Sequence, residues 1–237
     1  LTDELLEICE ENNILLIEDV CESHGTTFQG SKVGNFGFAS NFSFYFAHHM
    51  STIEGGMIST NDYQFYQVCR ALRSHGMTRE MTDISMRQQI IEQNPDLNPD
   101  FIFLRPSHNF RSTELNAVLG LSQLKRLDDN VLKRRTNLEI FISGLDPNVF
   151  RTEFLLDGNS NYALTLVMKN QSFSLRNAIE DLMRSNGIEF RRGLSGGGNQ
   201  LRQPYLQRIG KYPDPESLPN TDHVHHFGWY IGNYPDL

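Results

Sequence analysis

No stretch of this 237-residue chain is apolar for long enough to span a bilayer, so no membrane partner is expected. Residues 1–25 lack the basic-then-apolar pattern of a signal peptide. Cysteine is scarce. Cys9, Cys21 and Cys69 are odd in number and have no metal-ligand spacing, which points to reduced thiols in a cytoplasmic protein with no metal site. Positive charge is in deficit, with 21 Lys and Arg against 29 Asp and Glu. The resulting net charge of -8 argues against a nonspecific nucleic-acid surface. Internal repeats and low-complexity segments are also missing, and the length is ample for a sizeable core in one large or two small domains.

What is present centres on residues 41–57, NFSFYFAHHMSTIEGGM. Phe42, Phe44 and Phe46 alternate as in a half-buried strand, which stops at His48 and His49. A polar turn, Ser51-Thr52, leads to Glu54-Gly55-Gly56, where paired glycines mark a tight bend. A strand end of this kind sets an imidazole facing a cleft, where it can carry a proton near neutral pH. Adjacent strand residues point to opposite faces, so His48 and His49 do not suit a shared metal ion.

Upstream, residues 3–13 read as an acidic amphipathic helix with Leu5, Leu6, Ile8 and Cys9 inward. ILLIE, residues 14–18, reads as a buried parallel strand with Asp19 at its end, the position where α/β layers bind ligands. Residues 25–40 are rich in Gly, Ser and Asn and read as loop with short extended pieces. After a strand at 58–60, Asn61 or Asp62 caps a helix whose Phe65, Val68, Cys69 and Leu72 form one buried face. Residues 74–108, with Pro95, Pro99 and Pro106, read as a long surface excursion. A helix capped by Ser112 or Thr113 is expected to run on toward residue 143. Beyond Asp146-Pro147-Asn148 the pattern changes. Tyr162, Leu164, Leu166 and Met168 alternate as a strand, Leu175, Ala178, Ile179 and Leu182 form a helical face, and Gly187 caps it before a strand starts at Ile188. The expected division is 1–145 as an α/β layer and 146–237 as a small α+β domain.

The central segment resembles the lysine-bearing stretch of the nucleotide-sugar aminotransferases (DegT/StrS type), which are fold-type I pyridoxal-phosphate enzymes. Ser43-Phe44 and Glu54-Gly55-Gly56 fit that pattern, and the cofactor lysine is replaced by His48. An imidazole cannot form the lysine's stable Schiff base. Within the family this replacement resembles the 3-dehydratases of 4-keto-6-deoxy nucleotide sugars, such as those acting on GDP-4-keto-6-deoxy-mannose. Residues 109–124 also match the family, as Asn109-x-Arg111-x-x-Glu114-Leu115-x-Ala117-x-x-Gly120-x-x-Gln123-Leu124. The resemblance implies a large three-layer α/β/α domain, present here in part, then a small domain. No phosphate-binding Gly-Ser/Thr loop precedes residue 3 and no closing helix follows WYIGNYPDL, so a chain lacking both ends of that architecture is expected.

The resemblance also assigns roles. Asp19 pairs with the cofactor's pyridine nitrogen, although alone it would read as a helix cap, and Glu22 contacts the cofactor or is structural. Ser43 holds the cofactor phosphate. Asn109 reaches the phosphate of a neighbouring subunit and Arg111 lines that interface, which implies a homodimer with shared sites. Glu189 and Arg191, with Arg192 beside them, lie near the loop SGGG and contact the sugar nucleotide or amino donor. His223, His225 and His226 lack acidic or cysteine partners and read as pocket-wall or surface residues. The implied reaction uses pyridoxamine phosphate, His48 as general acid/base and L-glutamate as amino donor, and it removes the C3 hydroxyl of a nucleotide-linked 4-keto-6-deoxy sugar. An iron–sulfur branch is disfavoured, because three scattered cysteines cannot supply four thiolates. The alternatives are an ordinary aminotransferase, for which Lys32 is the nearest lysine in sequence, and a non-catalytic homologue that keeps the fold.

Overall fold

A computed structural model describes residues 1–210 and 212–237, which divide into two compact units, Leu1–Asp128 and Asp129–Leu237. The division falls at the start of the helix that the sequence reading places at the end of the first part.

In the first unit, α1 (Asp3–Glu11) is capped by Thr2, whose hydroxyl accepts from the Leu5 amide. Three strands form the sheet that bears the site: β1 (Ile17–Asp19), β4 (Ala39–Ser43) and β5 (Gly56–Thr60), in the order β1-β4-β5. β1 runs parallel to β4 and β4 antiparallel to β5, with Asp19 opposite Asn41 and Ser43 opposite Gly56. Between them β2 (Thr27–Phe28) and β3 (Ser31–Lys32) form a small hairpin. The aromatic alternation thus extends beyond the strand. Pairing stops at Ser43, and Phe44 and Phe46 belong to the chain reversal, closed by the Thr52 amide donating to the Phe44 carbonyl.

Three expectations about burial are corrected. Ile14, Leu15 and Ile17 are exposed, Ile17 by 62%, whereas Glu18 is buried, so β1 covers only one of its faces. α1 buries none of its residues. The face of α2 (Tyr63–Leu72) is rotated as well: Gln67 and Ala71 are buried, while Val68 is exposed. Gln67 is fully enclosed because its amide is satisfied. Nε2 donates to the Thr82 hydroxyl at 2.8 Å, and Oε1 accepts from the Thr82 and Asp83 amides. That polar anchor ties down the stretch after residue 74. It is no loose excursion: Met77, Met81 and Ile102 are buried, and it contains α3 (Ile84–Gln93), capped by Asp83. α4 (Glu114–Leu124) follows Thr113, and the chain breaks at Lys125 before α5 (Leu127–Ser143), so the expected single helix is two.

The second unit places α6 (Phe173–Ser185) against a sheet of β6 (Ala163–Val167), β8 (Gly228–Gly232) and β7 (Phe190–Arg192), in the order β6-β8-β7 with both pairings antiparallel. α7 (Pro204–Ile209) and α8 (Pro219–Phe227) precede β8. The core is Leu166, Met168, Met183, Phe227 and Trp229. Alternation puts Leu164, Leu166 and Met168 inward. Buried Glu180 accepts from Trp229 Nε1 at 2.9 Å and faces Arg184 at 2.8 Å and Arg192 at 3.4 Å. Both arginines are solvent-exposed, so the energetic weight lies on the indole N–H of Trp229, which is fully buried. Glu180→Ala is expected to cost this unit about 2 kcal/mol, the penalty of an orphaned buried donor. Glu180→Gln, which keeps an acceptor, should cost less. The chain has a single tryptophan, so Trp229 fluorescence during urea unfolding reports the difference, and equal losses in both variants would contradict this assignment.

Candidate active site

Asp19 ends β1 and lies directly across from Asn41 of β4. Its Oδ1 accepts from the Cys21 amide at 3.1 Å and from Asn41 Nδ2 at 3.0 Å. Hydrogen bonds from the Cys21 thiol and amide are the largest influences holding its carboxyl below the usual carboxylate value. Burial opposes them, and Asn41 and His48 add to them. The same arrangement, with burial as its main cause, pushes the Cys21 thiol up to about 11. A thiolate nucleophile is therefore not to be sought there. The sequence analysis placed Asp19 at the end of a buried strand, but it is exposed, as the last paired residue of an edge strand. Asn41 and Ser43, two residues apart on β4, project to one face beside it. The Ser43 hydroxyl accepts from the Tyr45 amide at 3.3 Å.

His48 lies in the reversal after β4, where its amide donates to the Tyr45 carbonyl and its ring meets the Tyr45 ring edge-on at 5.6 Å. Its Nε2 is 4.0 Å from Glu22 Oε1, with the His48 side chain mostly covered and that of Glu22 40% exposed. Asp19, Glu22, Ser43 and His48 thus come from the ends of β1 and β4 and the two loops that follow them. His49 is buried and stacks on His24, a residue the sequence reading passed over.

The Glu-Gly-Gly turn is held from two sides. Gly55 has φ +154, and a Cβ there would sit 2.7 Å from the Thr52 hydroxyl, itself hydrogen-bonded to the Glu54 carbonyl at 2.8 Å. From α4, Asn116 Nδ2 donates to the Thr52 and Glu54 carbonyls at 3.0 and 3.2 Å, while its Oδ1 accepts from the Thr113 amide and hydroxyl. Gly120 lets the helix approach, since a Cβ there would lie 3.3 Å from Thr52 Cγ2. The two motifs therefore dock on each other within one chain. Asn116, at an unassigned position of the second motif, makes the connection.

Asn109 and Arg111 are exposed at the start of that motif, and Asn109 Oδ1 accepts from Arg111 Nε at 3.0 Å. Lys32 Nζ is 2.8 Å from Asp128 Oδ1. In the second unit, Glu189 and Arg191 are exposed at β7. The Arg191 guanidinium lies over the Tyr230 ring, which is also the main influence raising its pKa. Arg192 points the other way, to Glu180. His223, His225 and His226 have separate partners: the Met168 carbonyl, the Asn199 amide and Asp222. His223 and His226 border a cavity of about 300 Å³ with Arg202 and Asp222. Among the described residues, no cluster of three His, Cys, Asp or Glu could hold a metal ion, and no helix is long and apolar enough to cross a membrane.

Comparison with solved structures finds Escherichia coli GDP-4-keto-6-deoxy-D-mannose-3-dehydratase with bound hydrated PLP. The TM-score is 0.82 at 28% identity, over 98% of this chain and 59% of that one. By sequence, the dehydratase of the same name from Escherichia coli O55:H7 is 29% identical over 98% of this chain and 59% of its own length. GDP-perosamine synthase of Caulobacter vibrioides is 35% identical, but over 56% of this chain and 31% of its own length. The chain thus spans about three-fifths of the dehydratases it matches. It is a mixed α/β chain covering part of a fold-type I PLP enzyme. The profile of the DegT/DnrJ/EryC1/StrS aminotransferase family matches residues 2–237, and the chain belongs to that family.

Proposed function

We propose that this chain forms the site of a PLP/PMP-dependent 3-dehydratase of a nucleotide-linked 4-keto-6-deoxyhexose. The observation that carries the reading is His48 in the place of the family's lysine, within reach of Glu22 and beside an ionised Asp19. The donor set suits the cofactor: a carboxylate to pair with a pyridinium, a hydroxyl for a phosphate, and an imidazole in place of an amine that would bind it covalently. When bound, pyridoxamine phosphate supplies an amino group for the C4 ketone and a ring that takes up and returns electron density.

Asp19, oriented by Asn41 and Cys21, keeps the ring nitrogen protonated. Ser43 supplies one phosphate donor, and Asn109 of a second copy another, so the active species is a homodimer with shared sites. His48 takes a proton at Nε2 and returns one to the departing C3 oxygen, with the Glu22 carboxylate facing that nitrogen. Glu189, Arg191 and Arg111 contact the nucleotide sugar. L-Glutamate restores the amino form of the cofactor, and a cytoplasmic setting suits these partners.

The competing aminotransferase reading requires a lysine to hold the cofactor. Borohydride reduction of the protein with pyridoxal phosphate, followed by peptide mass spectrometry, is expected to leave every lysine free of phosphopyridoxyl label. A label at Lys32 or another lysine would favour the aminotransferase.

A further inference from the structure

Among the described titratable groups that this chemistry does not use, His24 is the most enclosed. Its imidazole is 1% exposed and ringed by Phe42 and Phe44, each at 5.7 Å between centroids, and by His49, stacked at 5.9 Å with planes 25° apart. Burial first, then repulsion from His48, lowers its pKa to about 4, against an opposing contact with the Ser43 backbone. Burying an imidazole costs more than burying a leucine or phenylalanine, so packing alone is a poor reason for its presence.

The placement of His24 supplies a reason. It sits on the loop after β1, two residues past Glu22, while its ring neighbours belong to β4 and to the reversal that bears His48. One side chain thus couples the loop that follows Asp19 and bears Glu22 to the loop bearing His48. The local bond from the His48 amide to the Tyr45 carbonyl shapes the reversal but does not orient it toward the Glu22 loop. We propose that His24 is a positioning residue, whose stacked ring, through His49 and Phe44, holds His48 Nε2 in register with Glu22. Its neutrality matters too, since a charge there would repel the proton that His48 receives. The inference rests on the proposed role of His48, but its test needs no turnover.

The test is ¹³C NMR of the histidine rings in the full chain. Neutralising Glu22 as Glu22→Gln should displace the His48 ring resonance at neutral pH, because a charge at this distance acts on the ring. The displacement is expected to persist in a His24→Phe background, which keeps a flat ring, and to fall below half in His24→Leu, which keeps only bulk. An unchanged displacement in His24→Leu would overturn the proposal, as would its loss in His24→Phe or its absence in the parent. If His24→Leu does not fold, His24→Met, which also lacks a flat ring, takes its place with the same expected loss and the same overturning result. The parent must also show a His24 resonance that stays fixed from pH 8 down to about pH 5.5, where an ordinary histidine titrates. A His24 that protonates in that window is no neutral spacer, and the proposal fails. None of these outcomes depends on whether the protein dehydrates a sugar, so failure here is separable from failure of the proposed function.

Discussion

Replacing His48 by alanine is expected to slow removal of the C3 hydroxyl by about 10²–10⁴-fold, the usual contribution of a general acid–base group. The loss should appear in kcat, with cofactor and sugar-nucleotide binding retained, because Asp19, Ser43 and the Glu-Gly-Gly turn do not depend on the imidazole. His48→Lys should lose dehydration to a similar degree for a different reason. Its amine is mostly protonated at neutral pH and competes for the cofactor, so that variant is expected to turn yellow with pyridoxal phosphate. Steady-state rates with a 4-keto-6-deoxy nucleotide sugar, cofactor and glutamate distinguish the cases. Parent-like rates in both variants would remove His48 from the mechanism.

The second large effect is structural. Glu18 precedes Asp19 and is nearly buried, and its carboxylate accepts from three backbone amides: Gly34 at 2.7 Å, Phe36 at 2.8 Å and Gly37 at 2.7 Å. These amides have no strand partner, so the carboxylate does for this loop what a ladder does for a sheet. Glu18→Ala leaves all three unpaired and is expected to cost about 3 kcal/mol, even if water reaches some of them. Glu18→Gln should fall between, because the side-chain amide that replaces one oxygen would face a donor with a donor. Urea unfolding followed by far-UV circular dichroism gives the stability. Amide hydrogen exchange at Gly34, Phe36 and Gly37 should accelerate selectively, and unchanged exchange there would contradict the assignment.

Neither Glu18 nor His24 was legible in the sequence, for the same physical reason. A carboxylate or imidazole is written as a solvated residue unless its partners are known, and those partners lie 16 to 25 positions away, on other elements. The α2 face was misjudged on Gln67, whose polarity argued for solvent until Thr82 and Asp83 satisfied it. Local signals did better. Asp62 and Thr113 cap their helices, Gly187 follows the end of α6 with φ +69, and Leu164, Leu166 and Met168 are buried as the alternation expects, with Val167 buried as well. Four of the expected site residues, Asp19, Glu22, Ser43 and His48, fall in two short stretches, 19–22 and 43–48, which one parallel pairing brings together. Asn116 escaped notice because it occupied a position that the family pattern leaves open.

The most direct test of the account is the product formed from a 4-keto-6-deoxy nucleotide sugar with pyridoxamine phosphate and glutamate, analysed by mass spectrometry and NMR. A 3-dehydratase yields a nucleotide sugar lighter by one oxygen atom, with a methylene at C3 and the C4 ketone retained, and one 2-oxoglutarate for each turnover in the steady state. A product that keeps its C3 hydroxyl and carries an amino group at C4 would contradict the account and make the protein an aminotransferase.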